Sequence, residues 1–394
     1  MLRIGIIGAG IGGLTAAVAL RQAGFAVEVY EQAAELTKVG GGINMGPNAV
    51  RVLQRLGLGP ALDRDGVRPL FTHQRRWQDG RTLQRAMLNP RCEQLYGAPH
   101  LTIHRRDLLA AITSGFPAAH VHLGHRLTGF MDRGDGVDAW FDNGARCTVD
   151  VLIGADGIHS TVQAGLFHDE APLFAGCVAY RGLVPVERIA DLELELGSQS
   201  WVGPGGHFVH YFVSRGQLLN FVGWTEHDTW NREDWTDRAT IDRALAAFAG
   251  WHPQIGRIIG AAETCFIWAL FDRDPLPRWS VGRVTLLGDA CHPMYPFMGQ
   301  GAAQAIEDGA ALAACFVAGG GDVAGPLRRY EAVRLPRVSK LQAMSRANKT
   351  RFHMRDGPDQ VARDAELARA GDRAPDALRW LYEHDPGAVG PPGD

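Results

Sequence analysis

The sequence lacks the spacings that mark zinc ribbons and dithiol redox centres: its six cysteines (Cys92, Cys147, Cys177, Cys265, Cys291, Cys315) include no C-x-x-C pair. Scattered in this way they read as reduced thiols of a cytoplasmic protein, not as a disulfide framework. No apolar run reaches 18 residues, and the chain enters an apolar strand at Leu2 with no basic segment ahead of it. Neither a membrane span nor a secretory leader is therefore expected. An excess of one charge is also missing. Lys and Arg number 40 against 43 Asp and Glu, and basic runs stop at pairs such as Arg75-Arg76. No electrostatic nucleic-acid or membrane footprint is therefore indicated, and a small molecule is the expected partner. Internal repeats are absent, and the 46% hydrophobic and 21% charged composition is that of a folded globular chain.

Glycine is abundant, with 49 in 394 residues against about 7% in an ordinary chain. The first cluster follows the apolar run Leu2 to Ile7: Gly8, Gly10, Gly12 and Gly13 open an Ala- and Leu-rich segment that stops at Gly24, and Ala26 to Tyr30 is a second β-branched run. This is a β-α-β unit carrying G-x-G-x-x-G. Gly8 permits the tight turn, Gly10 lets backbone approach a pyrophosphate, Gly13 allows close helix–strand packing, and Glu31 ends the second strand where a carboxylate can accept from a ribose. The unit predicts dinucleotide binding without separating FAD from NAD.

Further along, Asp79-Gly80 and Asn143-Gly144 are placed to close hairpins, with a helix expected at about Arg106 to Thr113. Ala175 to Val184 and Phe208 to Val222 read as strands of a separate antiparallel sheet. A helix is expected from about Gly301 to Phe316, and helical character continues from Tyr330 to about Glu383. Two buried strands end in acidic turns: Val151 to Ile153 runs into Gly154-Ala155-Asp156-Gly157, and Val284 to Leu287 runs into Gly288-Asp289-Ala290.

These segments, in this order after the first glycine cluster, resemble the class A flavoprotein aromatic hydroxylases. These are single-component FAD monooxygenases that include salicylate hydroxylase, hydroxybenzoate hydroxylases and 6-hydroxynicotinate 3-monooxygenase. The resemblance covers nearly the whole chain. It implies an α/β fold: a Rossmann-like FAD-binding domain of the glutathione-reductase type, an inserted antiparallel β-sheet substrate domain, and C-terminal helices. The corresponding division is 1–170 for the first part of the FAD domain, with substrate-layer strands near 70–100. Residues 171–270 form the sheet domain, 271–345 the second part of the FAD domain, and 346–394 a helical tail.

By the same resemblance Asp289 holds the ribityl chain, Asp156-Gly157 serves the FAD pyrophosphate and passage of the nicotinamide, and Arg105 lies near the pyrophosphate. Gly42 belongs to a loop along the flavin, and Pro296 lies beside the reactive C4a edge. Gln163 stands where the family often carries Arg. A helix starting near Gly301, with Gly299 and Ala302 around its first turn, aims its N–H groups and positive dipole end at whatever precedes it, which suits the negative charge of a reduced flavin.

On a strand through Phe208 to Val213, His207 and Tyr211 share one face. They read either as a substrate-facing pair, as in the hydroxynicotinate enzymes, or as a hydrogen-bonded pair inside the sheet. Asn44 and Phe297 stand where those enzymes carry histidines, so both are substrate candidates. Arg181 reads as a carboxylate clamp or as a bridge between sheet and flavin domain. His120, His122 and His125 read as exposed strand histidines, and no metal is expected. His292 is expected behind the flavin loop.

The activity implied is hydroxylation of a small aromatic or N-heteroaromatic hydroxy acid of salicylate, hydroxybenzoate or hydroxynicotinate type. NADH or NADPH reduces FAD, O2 gives a flavin C4a-hydroperoxide, and one oxygen passes to the ring, with His207 and Tyr211 accepting the substrate proton. Rivals on the same fold are monooxygenases of bulkier non-phenolic compounds (epoxidases or antibiotic-modifying enzymes) and a non-hydroxylating FAD-binding module. Halogenases are disfavoured by the absence of W-x-W-x-I-P. The sequence leaves monomer and homodimer both open.

Overall fold

The run Arg3–Ile7 is apolar on both sides and buried from Ile4 onward, as suits a strand covered on both faces. The computed structural model describes all residues except 37–39, 168–171, 228–237, 320–321 and 389–394. In it this strand sits inside a six-stranded sheet with the order 280–281, 284–286, 151–154, 3–7, 26–30, 121–122. The inner pairings are parallel, Ile4 opposite Val151 and Leu152 opposite Val284, while Ser280–Val281 adds an antiparallel edge. Two stretches nearly 300 residues apart in the chain thus build one sheet. The expected boundary at 170/171 falls outside the described residues.

The first helix, Ile11–Gln22, ends at Ala23 with Gly24 at φ 92°, the left-handed stop expected of a glycine there. Its partner is helix Gly301–Ala318. A Cβ at Gly309 would lie 2.7 Å from the Ala16 nitrogen, so the two helices touch backbone to backbone. The hairpin glycines behave as read, Gly80 at φ 69° and Gly144 at φ 83°.

The second sheet has eight strands in the order 238–239, 265–272, 173–185, 218–226, 206–213, 197–203, 71–76, 82–87. Two features depart from the sequence reading. Strand 197–203 runs parallel to 71–76, which is feasible because more than a hundred residues connect them. The stretch 208–222 is two strands joined at Ser214–Gly216, where Ser214 and Arg215 take positive φ without the Asn-Gly or Asp-Gly signal of a tight hairpin. One face of this sheet packs Phe208, Phe212, Phe221 and Phe248 with Ile255 and Ile258 into a core of its own. The other face is free to line a site.

A 29-residue helix, Ala324–Phe352, runs unbroken through the 345/346 position and is followed by helix Pro358–Ala370. Among the described residues no helix is long and apolar enough to cross a membrane. His120, His122 and His125 are half-buried, not exposed, and only His122 lies in a strand: His120 ends a short 3-10 turn, and the rings of His120 and His122 reach Glu28, at 2.8 and 2.7 Å.

Candidate active site

A cavity of about 790 Å³ opens between the eight-stranded sheet, the glycine-rich loops of the first sheet and the C-terminal helices. The period of two along strand Gly206–Val213 puts His207, Val209 and Tyr211 on its floor, while Phe208 and Phe212 turn to the opposite core. His207 and Tyr211 are four residues apart, about 13 Å along an extended strand, with Val209 between them. They do not bond each other, so one end of the floor is basic and the other phenolic.

His207 is buried, with Nδ1 2.8 Å from Nε2 of His353. Burial first, and His353 second, hold its imidazole well below the ordinary pKa. Its Nε2 has no partner among the described residues and is not sealed off by protein, so it faces the cavity. The Tyr211 hydroxyl is likewise unpartnered among them, and burial pushes the phenol pKa up, which keeps it a neutral donor. An aromatic wall stands beside this floor. Trp224 meets Trp268 and Phe297 edge to face at 5.1 and 5.2 Å, and Phe297 meets the His207 ring at 4.8 Å.

The facing wall comes from Gly41, Gly42, Asn44, Arg105, Asp289, Pro296, Gly299, Gly301 and Ala302. Asp289 lies deep in the protein, and the surrounding mass pushes its carboxyl pKa up, yet its side chain opens directly onto the cavity. The open face is what a ligand would meet. Pro296 also projects into the space, and the helix beginning at Gly301 has no side-chain cap on its first N–H groups. Arg105 is half-buried; burial lowers its pKa while Asp289 and Glu31 act in the opposite direction. Arg181 lies over the Phe266 and Trp268 rings at 5.8 and 5.9 Å and feels the repulsion of Arg105.

The remaining sequence-predicted residues, Gly8, Gly10, Gly12, Gly13, Glu31, Asp156 and Gly157, lie outside this cavity's lining. A Cβ on Gly10 or Gly157 would meet nothing within 4 Å, so both leave open space. Gly10 also begins a helix without a side-chain cap. Others are taken up by protein: a Cβ on Gly13 would lie 2.0 Å from the Gly8 carbonyl oxygen, one on Gly12 2.6 Å from Leu287, and one on Gly42 2.5 Å from Tyr211. Glu31 accepts from the backbone N–H groups of Ala9 and Ala33, at 2.8 and 2.9 Å. The Asp156 carboxylate accepts from Thr161 and Val162 N–H and from the Ser160 hydroxyl, so it caps helix Thr161–Leu166 instead of pointing into the cavity.

An uncapped helix start over open space at Gly10, a second at Gly301, and the accessible Asp289 carboxylate fit an extended dinucleotide with a polar chain. Arg105 adds a positive charge that both Asp289 and Glu31 feel.

Two histidines at the site carried no signal in the sequence. His353 follows the last residue of the long helix and becomes a neighbour of His207 only through tertiary packing. His100 is buried, and its Nε2 bonds the Asn44 Oδ1. Behind the Gly301 helix, His292 and Arg334 hold Asp308 at 2.6 and 2.7 Å, and Arg334 and Arg337 hold Glu307 at 2.6 and 2.8 Å. His292 is thus structural, as its position suggested.

Residues 1–345 match the family described as FAD binding domain. A 3-amino-4-hydroxybenzoate 2-monooxygenase of Streptomyces platensis is 42% identical over 388 residues, covering 98% of this chain and 97% of the relative. A 6-hydroxynicotinate 3-monooxygenase of Pseudomonas fluorescens is 39% identical over 351 residues, covering 88% and 91%. Among solved structures, HpxO of Klebsiella pneumoniae complexed with FAD and uric acid superposes with a TM-score of 0.88 at 31% identity, covering 99% of this chain and 98% of that one. Fold, cavity and relatives agree, and the chain belongs to the FAD-binding-domain family as an FAD-dependent monooxygenase that uses NAD(P)H and O2.

Proposed function

We propose that the enzyme hydroxylates a small aromatic or N-heteroaromatic hydroxy acid, of the class to which 3-amino-4-hydroxybenzoate and 6-hydroxynicotinate belong. The observation that carries this reading is the cavity floor. An imidazole nitrogen and a phenol, both without a partner among the described residues, stand at two ends of a slot walled by Trp224, Trp268 and Phe297. A flat ring with polar groups at opposite edges satisfies all of them, whereas a bulky non-phenolic compound leaves buried polar atoms unpaired. FAD, when bound, supplies the reduction of O2 and delivery of one oxygen atom to the ring.

The chain's own residues bind and orient. The first-strand glycines with Glu31 hold the adenosine and pyrophosphate end, with Gly157 giving backbone access. Arg105, Asp289, Gly42, Gly299, Gly301 and Ala302 line the flavin's side, and Pro296 packs at the reacting edge. Tyr211 donates to a substrate oxygen, His207 Nε2 accepts the proton of the ring hydroxyl, and Arg181 supplies positive charge for the carboxylate. Asn44 and Phe297 shape the slot, and Phe297 keeps water from His207.

The chain divides on this reading into two FAD-binding segments, 1–170 and 271–345, a sheet layer at 171–270 that recruits strands 71–76 and 82–87, and a tail. That tail contributes Leu367, Leu378 and Tyr382 to the cavity wall. The six free cysteines support a reducing, cytoplasmic setting.

The test is a screen of 3-amino-4-hydroxybenzoate, hydroxypyridine carboxylates, hydroxybenzoates and salicylate for stimulated NADH or NADPH oxidation, with product mass. A gain of one oxygen, with or without loss of carbon dioxide, supports the reading. Stimulation only by bulky non-phenolic compounds overturns it.

A further inference from the structure

His207 does not end the chain of contacts that leaves the cavity. Its Nδ1 meets His353 Nε2 at 2.8 Å, and His353 Nδ1 meets Glu226 Oε1 at 3.3 Å. The side chain of His353 is 1% exposed, whereas that of Glu226 is 48% exposed. The three groups thus form a line from the cavity floor to solvent. Trp224, Phe297 and Phe352 surround the His207 ring and keep water off the inner half.

The polarity of this line follows from its outer end. An ionised carboxylate only accepts, so His353 Nδ1 must carry its proton. Burial holds the His353 ring neutral, with a pKa of about 4, so its Nε2 must then be the acceptor. His207 Nδ1 must therefore donate, and in a neutral ring this leaves Nε2, the atom facing the cavity, as a lone pair. A surface carboxylate two residues removed from the substrate thereby decides that the site presents a base and not a hydrogen-bond donor.

We propose that Glu226 and His353 act as positioning residues. They fix the His207 tautomer and conduct the substrate's hydroxyl proton to solvent. The step balances without electron transfer. The substrate O–H bond breaks as an N–H bond forms at His207 Nε2, the Nδ1 proton passes to His353 Nε2, and the His353 Nδ1 proton passes to Glu226 and on to water. Among the described residues, the charged or titratable groups packed around His353 are Glu226 on its strand, His207 on the neighbouring strand, and Lys349 one turn earlier on the helix. Cys177, on the next strand, faces Glu226 and Lys349. Lys349 also donates to the Ala175 carbonyl at 2.6 Å. This inference rests on the proposed role of His207 as base, so the test must separate the two.

Glu226→Lys replaces the acceptor at the rim with a donor and inverts the line, and being exposed it should not endanger folding; His353→Phe cuts the line from within. With FAD-loaded enzyme and 3-amino-4-hydroxybenzoate as probe, two quantities are followed against pH: the ultraviolet difference spectrum that reports ionisation of the bound phenol, and kcat/KM for NADH oxidation. In both variants, ionisation of the bound phenol is expected to move up by a pH unit or more. At neutral pH kcat/KM should fall on the order of 10²-fold and recover as pH approaches the ligand's own ionisation. Unchanged ionisation in both variants, with His207→Gln affected, overturns the relay and leaves the base in place. A loss equal at every pH also overturns it, since a merely structural role predicts that pattern. If His207→Gln itself leaves ionisation unchanged, the base assignment fails and the relay with it.

Discussion

Two buried polar groupings flank the cavity, and they solve the same physical problem in opposite ways. Behind the Gly301 helix, Glu307 and Asp308 are fully buried and ionised, held by Arg334, Arg337 and His292. Asn48 and Gln304 add neutral donors to Glu307 at 2.6 and 3.0 Å. Every charge has an opposite partner, and the cluster ties the Gly301 helix to the long helix and to the loop that carries Asp289. On the other side, His207 and His353 are buried and neutral, and one atom of the line is left open to the cavity. A closed, charged network anchors; an open, neutral one can exchange a proton. Burying a charge is costly unless paired, and burying a neutral imidazole is far less so, which is why only the second arrangement can leave an end unsatisfied.

The contrast breaks most visibly at Arg334. Arg334→Met leaves two buried carboxylates with too little positive charge, and denaturant unfolding should show a loss of about 3–5 kcal/mol. A loss below about 1 kcal/mol would mean that the charged cluster anchors nothing. His207→Gln should do the reverse. Its stability change should stay within about 1 kcal/mol while ligand-stimulated NADH oxidation falls on the order of 10²-fold, or about 2.7 kcal/mol of barrier.

Acid should separate the two groupings by pH window. Burial raises the Glu307 and Asp308 pKa values, but Arg334 with Arg337 pulls Glu307, and His292 with Arg334 pulls Asp308, to about 2. Their contribution is present above the ordinary values of 4.5 and 3.8 and is lost as pH falls toward 2. His353, lowered by burial from 6.5 to about 4, contributes fully above 6.5 and loses its contribution as pH falls through that window. His353→Phe should therefore flatten the stability profile between these two values while leaving the lower window intact; the buried His73 and His100, each lowered to about 4, keep the flattening partial. A stability profile unchanged by the substitution would place His353 outside the linkage. The smallest effect is expected at Tyr211→Phe. With no partner among the described residues to strand, it should leave stability unaltered and raise KM for the aromatic acid by up to roughly tenfold, the worth of one hydrogen bond.

Much of the first sheet was legible because its pattern is local. Gly8 to Glu31 is one continuous β-α-β unit, and the two acidic turns each follow a buried strand. The floor pair was legible for the same reason, since the period of a strand fixes which of residues 207 to 213 share a face. What eluded the sequence depends on distant packing. His353 lies 146 positions from His207, and nothing in the Phe352-His353 dipeptide marks it. Gly13 reads as a helix–strand packing position, and a Cβ there would indeed meet the Gly8 carbonyl oxygen; what the sequence does not show is that Leu287 and Tyr211 also crowd the space at Gly12 and Gly42. The turn at Ser214–Gly216 was hidden because Arg215 adopts a left-handed backbone that its residue type does not advertise.

The long helix that carries Arg334 also delivers His353 just past its last residue. Nineteen positions separate them, about 29 Å along the axis, and each residue turns the helix by about 100°. A one-residue deletion between Arg334 and His353 would therefore swing the imidazole roughly a quarter turn away from His207 while the anchor stayed in place. Removing a full turn would restore the ring's direction but draw it about 5.4 Å back along the axis, so the length of this stretch is set by its two ends, and chain-length variation among functional homologues should fall in the loops on either side of the helix.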